Sequence, residues 1–115
     1  MQPEQPVVVT VDPLVVRDGV VSALVVVACL PPPASLVING VLEILVGDDY
    51  WVPQGRNVLL HLLDEPVAQI RLSAPYSAGT WRARVRLGGV DATETDIDLT
   101  VTSVPEQPGL APDED

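Results

Sequence analysis

Few residues in this sequence are of a type that does chemistry, and their spacing limits what they could do. One histidine, His61, stands in "LLHLLDE", with Asp64 and Glu65 just after it. An imidazole beside a carboxylate can act as a general base or as one ligand of a metal. Ser22, Ser35, Ser73, Ser77 and Ser103 would supply nucleophiles. None of them stands on a strained elbow or beside glycines placed to form an oxyanion hole. A lone histidine among leucines is expected to be structural, so no catalytic residue is assigned and the chain is not expected to be an enzyme.

The acids Asp91, Glu94, Asp96 and Asp98 are the densest set of potential calcium ligands, with Asp48 and Asp49 available if the loops converge. A calcium loop of the EF-hand kind needs a central glycine that this string lacks. Asp96 and Asp98 also alternate with Ile97 and Leu99, which marks a strand rather than a ligating loop. No metal or other cofactor is expected. Cys29, after "VVVA", has no basic neighbour to lower its pKa and reads as a small buried hydrophobe. Tyr50 and Trp51, beside Asp48, Asp49 and Gln54, have the composition of a sugar-stacking platform. A sandwich core, however, commonly uses one such indole.

The stretch "AGTWRARVRLGG" carries Arg82, Arg84 and Arg86 at every second position, in a chain with a formal net charge of −10 and no lysine. Such a stripe is either a site for an acidic partner or the solvated face of a strand. Paired antiparallel with "TDIDLTV", it would set Arg84 opposite Asp98 and Arg86 opposite Asp96 on the outer face. Ala83 and Val85 would then face Leu99 and Ile97 on the inner one. Each charge pair contributes roughly 0.2–1 kcal/mol and favours one register. Arg82 falls opposite Thr100 and is left as the arginine open to a partner.

The elements that must position these groups are short strands. "VVVTV" at 7–11, "LVV" at 14–16, "VVSALVVVACL" at 20–30 and "VLLHLL" at 58–63 read as extended. So do "VAQIRLSAP" at 67–75, "GTWRARVRLGG" at 79–89 and "DIDLTVTSV" at 96–104. "RDG" makes a turn at 17–19, and three prolines at 31–33 stop the longest apolar run. Asn39-Gly40, between "SLVI" and "VLEILV", is the strongest short hairpin signal, because both residues tolerate positive φ. "DDYWVPQGRN" reads as a loop with an extended piece at 50–52. About seven to nine strands result, an all-β, two-sheet antiparallel sandwich.

Composition agrees. The 115 residues suggest one domain, 47% hydrophobic, with no phenylalanine, two Trp and two Tyr. The apolar content is mostly valine and leucine, and β-branched valine favours strands. Twelve prolines and eight glycines break every candidate helix. "PEQP" occurs at 3–6 and again at 105–108. The expected organisation is an extended proline-rich arm at 1–6, the sandwich at 7–104, and an acidic, disordered tail at 105–115. The negative charge disfavours nucleic acid and anionic membranes as partners. No apolar run reaches the roughly 18–20 residues of a membrane span. The first residues lack the basic-then-apolar pattern of a signal peptide.

The run "YSAGTWRARV" resembles the penultimate strand of immunoglobulin-like domains, whose pattern is Asp-Ser-Gly-Thr-Tyr-x-Cys-x-Val. Gly79 and Thr80 match, Trp81 takes the place of the tyrosine and Ala83 that of the cysteine. The chain departs from the family at both disulfide positions. The resemblance implies a cysteine-free, immunoglobulin-like sandwich of the bacterial and phage kind, with Tyr50-Trp51 as a source of the buried middle-strand indole.

Several strands are apolar on both faces, where a sandwich strand facing water should alternate. That excess points to a second surface covered by another chain, and the expected contact residues are Val7, Val9, Val20, Val25 and Val27, with Tyr50, Trp51 and Arg82. The expected role is a non-catalytic structural or interaction module that forms a homo-oligomer or binds a lattice protein. A virion accessory protein, such as a capsid decoration or tail module, fits these features. The alternative is a module of a bacterial surface protein that is adhesive or carbohydrate-binding. The location implied is a virion or a cell surface.

Overall fold

The computed structural model describes residues 7–108, and none of them is helical. Eight strands follow one another: β1 (Val7–Val11), β2 (Val15–Arg17), β3 (Val20–Cys29), β4 (Ser35–Val46), β5 (Tyr50–Leu62), β6 (Val67–Pro75), β7 (Trp81–Val90) and β8 (Asp96–Thr102). They form two antiparallel sheets packed face to face, a β-sandwich. In the first sheet β3 is central. β6 pairs along one of its edges, while β1 and β2 share the other and are separated by Asp12-Pro13. The second sheet runs β5-β4-β7-β8.

Strict alternation builds the core. Val21, Ala23, Val25, Val27 and Cys29 of β3 point inward and are almost completely buried, as are Ala68, Ile70, Leu72 and Ala74 of β6. Leu36, Ile38 and Leu42 of β4 meet them from the second sheet, beside Trp81, Ala83, Val85 and Leu87 of β7. Trp81 is fully buried and donates its Nε1–H to the Ser77 carbonyl at 2.9 Å. Burying an indole removes about 150–250 Å2 from water, which at about 25 cal/mol per Å2 is worth roughly 4–6 kcal/mol before entropy. The buried indole is therefore Trp81. Trp51 lies on the outer face of β5 instead.

Three expectations change. Asn39-Gly40 is not a hairpin but the middle of β4, which runs unbroken from Ser35 to Val46. The turn comes after it, at Gly47–Asp49, and the expected loop "DDYWVPQGRN" supplies most of the first half of β5. Gly40 is glycine for a different reason: a Cβ there would sit 2.8 Å from Leu72 Cδ2 and 3.0 Å from Ile70 Cδ1 of the facing sheet. Finally, ordered contacts pass the expected boundary at Val104. Glu106 exchanges backbone hydrogen bonds with Trp81, and its carboxylate accepts the Leu14 N–H at 3.3 Å. The arm at 1–6 and the last seven residues of the expected tail lie outside the described residues.

Close inter-sheet approach at Gly40 sets a test. Gly40→Val should destabilise by about 1–3 kcal/mol through overpacking, while Asn39→Thr, on the outer face of the same strand, should stay within about 0.5 kcal/mol of the parent in urea unfolding. Equal losses at both positions would contradict a continuous β4.

Candidate functional site

The outer face of the second sheet holds the polar groups. β7 pairs with β8 through Val90–Asp96, Gly88–Asp98, Arg86–Thr100 and Arg84–Thr102. The expected partners of Arg84 and Arg86 were Asp98 and Asp96, so the register is displaced by four residues along β8. An even displacement keeps every side chain on its expected face, and Ile97 and Leu99 still point inward. The loop between the strands fixes the shorter register. Asp91 Oδ1 accepts the Thr93 N–H (2.8 Å), the Thr93 hydroxyl (2.8 Å) and the Thr95 N–H (2.9 Å).

The arginines find their acid on the other side, in β4. Glu43 lies directly opposite Arg82 and diagonal to Arg84. It accepts the Arg82 Nε–H on Oε1 at 2.8 Å and faces the Arg84 Nε from Oε2 at 3.1 Å. The Glu43 side chain is 5% exposed, so its carboxylate is largely out of water and held by two cations. The Arg82 guanidinium also stacks on the Trp51 ring, 4.2 Å from its centroid. Arg82 is thus the most constrained of the three arginines, which corrects its expected availability to a partner. Glu43 was missed in the sequence; its signal was a lone acid in the apolar run "VLEILV".

The same stack involves the indole of the expected sugar platform. Arg82 covers one face of Trp51. Tyr50, as its neighbour on a strand, points to the opposite side and is 68% exposed.

His61 is exposed on the outer face, with Ser35 Oγ 2.8 Å from its Nε2. Among the described residues no carboxylate hydrogen-bonds to the ring, neither Asp64 nor Glu65. A cleft of about 490 Å3 opens between β5 and β6, lined by Gly55, Arg56, Val58, Arg71 and Ser73 among others, and contains neither His61 nor Ser35. Among the described residues no three His, Cys, Asp or Glu side chains come together as a metal set. Asp91 instead serves its own turn. Cys29 is buried, and desolvation, with the negative charge of Asp91 adding to it, raises the thiol pKa.

The outer face of the first sheet carries an apolar patch, with Thr10, Ser22, Gln69 and Ser73 among its other outward positions. Val8 is 59% exposed, Val15 50%, Val20 41% and Val67 51%, and they surround the half-buried outward side chains of Leu24, Val26 and Ala28. Of the expected contact residues, Val20 lies on this face. Val7, Val25 and Val27 are core residues and Val9 packs against the core, so the parity of that expectation is corrected. The outward positions of β1, β2, β3 and β6 include Arg17 and Arg71 but no Asp or Glu.

Two outcomes follow from these contacts. Glu43→Gln should cost about 1–3 kcal/mol in urea unfolding, because both guanidinium groups lose a charged acceptor. Arg82→Gln should cost less, since Arg84 still holds the carboxylate. Asp91 has a lowered pKa, chiefly from the Thr95 N–H and then the Thr93 hydroxyl. Its contribution to stability is therefore present above the ordinary aspartate value of 3.8 and is lost as pH falls through the lower folded-state value. Urea unfolding at a series of pH values should show the parent losing more stability than Asp91→Asn across that acidic window.

No family model, no curated protein and no solved structure matches the chain.

Proposed function

We propose that the chain is a non-catalytic interaction module that assembles with further copies of itself through the outer face of its first sheet. The observation that carries this reading is the apolar surface of Val8, Val15, Val20, Leu24, Val26 and Val67 on a face whose strand positions carry no acid, with Asp12 at its β1–β2 edge. With a formal net charge of −10, two copies repel each other nearly everywhere else. An apolar patch whose strands carry no acid is where that repulsion is least and burial gains most. The sheet edges are poorer sites for association, because Pro13 interrupts the β1–β2 edge, Pro53 lies within β5, Pro75 ends β6, and the β8 edge carries Asp96 and Asp98.

The absence of a catalytic role is supported by the exposed Ser35–His61 pair, which has no orienting carboxylate among the described residues and stands outside the β5–β6 cleft. An immunoglobulin-like character is supported by the strand distribution, with β1, β2, β3 and β6 in one sheet and β4, β5, β7 and β8 in the other. Within this reading the protein is a virion accessory module, a capsid decoration or tail component, where repeated copies cover one another's apolar faces.

Sedimentation equilibrium tests the assembly. The parent should form a discrete oligomer, and Val26→Lys should shift it to the monomer with an unchanged melting temperature. Leu59→Lys, on the opposite face, should leave the mass unaltered. A parent that stays monomeric at high concentration would overturn the proposal.

A further inference from the structure

The second sheet contains a recess created by an irregularity in β5. Gly40 of β4 pairs with Val58 and Leu42 with Gln54, so Gly55, Arg56 and Asn57 all stand against the single residue Val41. Gly55 takes φ of 76°, and the bulge carries it against the backbone of Ser73 and Ala74 in β6. Extra residues in one strand bend it and open the ladder locally. Val41 is left without a cross-strand partner on that side, and a recess of about 150 Å3 forms, bounded by Val41, Asn39, Asn57, Arg84 and Arg86.

The walls of this recess are donors. Arg84 meets Glu43 through Nε, which leaves its two terminal nitrogens outside that ion pair. Arg86 lies two residues along the same face of β7 and makes no ion pair among the described residues. Its direct partners across the strands are Asn39 and Thr100, neither of which is charged, and Asp98 stands diagonal to it on β8 without forming an ion pair among the described residues. Two cations side by side on one strand face repel each other, and the carboxamides of Asn39 and Asn57 add further N–H groups. Glu43 already faces both Arg82 and Arg84, so with Asp98 diagonal to Arg86 three guanidinium groups meet two carboxylates.

We propose that this recess binds one small oxyanion, a carboxylate or a phosphate group. A guanidinium presents paired N–H groups that match the two oxygens of such an anion, and an anion between Arg84 and Arg86 relieves their repulsion. The size sets the class. About 150 Å3 is roughly five times the volume share of a water molecule. It takes one oxyanionic group, with the rest of any larger ligand left outside the recess. Glu43 and Trp51 position Arg82 beside it, and Glu43 in turn fixes the approach of Arg84. Because the arginines are partly exposed, affinity falls as salt rises.

Amide NMR titrations of the full chain with inorganic phosphate and, separately, with succinate test this, with sodium chloride at matched ionic strength as reference. The expected result is saturable shifts at residues 39–41, 57 and 84–86 with at least one of the two probes. Saturation by phosphate alone assigns a phosphate site, by succinate alone a carboxylate site, and by both a general oxyanion site. Arg86→Gln should weaken binding at least tenfold at an unchanged melting temperature. Asn57→Asp should do the same by repulsion, whereas Arg71→Gln, in the separate β5–β6 cleft, should not. Shifts that sodium chloride reproduces, or that persist undiminished in Arg86→Gln, would overturn the proposal.

Discussion

The structure depends on two sheets closing on a core that contains no phenylalanine. Valine, leucine and alanine fill most of it, so the sheets must approach closely, and at Gly40 there is no room for even a Cβ without moving Leu72 or Ile70. Trp81 is the one large aromatic fully buried among the described residues. This thin core requires exact inside–outside parity along β3 and β6, since a slip of one residue would exchange every buried valine for an outward one. It also explains why the outer face of β3 can be apolar without confusing the fold: register is set by small side chains that fit the narrow gap.

Charge is arranged around that core by position rather than by number. The acids of the described residues stand largely in turns and on β8, and one acid, Glu43, is buried between two arginines. The outward positions of the first sheet carry none. A strongly acidic chain therefore presents one face whose strand positions carry no acid and one patch where Arg82, Arg84 and Arg86 cluster around Glu43. Those two faces are where a partner and a small anion, respectively, meet the least opposition. Glu106 ties the two sheets together by pairing with Trp81 of β7 while accepting the Leu14 N–H between β1 and β2.

Much of the fold was legible because β-strands write their period into the chain. β6, β7 and β8 fall where alternation places them, and the arginines are outward as expected. The register of β7 against β8 was not legible, because charge pairing is worth less than a tight loop closed by the Asp91 carboxylate. Asn39-Gly40 misled for a related reason. A glycine needed for turn geometry and one needed for close packing look the same until the facing strand is known. The valines of β1 and β3 offer either parity, so of the expected contacts Val20 faces outward while Val25 and Val27 are core, and Leu24 and Val26 face outward instead. The bulge that makes the recess had no signal beyond Gly55 itself.

The central claim is that the outer face of the first sheet is a contact surface between copies. Methyl NMR with a soluble paramagnetic agent, recorded from dilute to concentrated protein, tests it most directly. The account predicts that the methyls of Val8, Val20, Leu24, Val26 and Val67 become shielded as concentration rises, while those of Val37 and Leu59 on the opposite face stay exposed. Equal exposure of both faces at every concentration, or shielding confined to the second sheet, would contradict it.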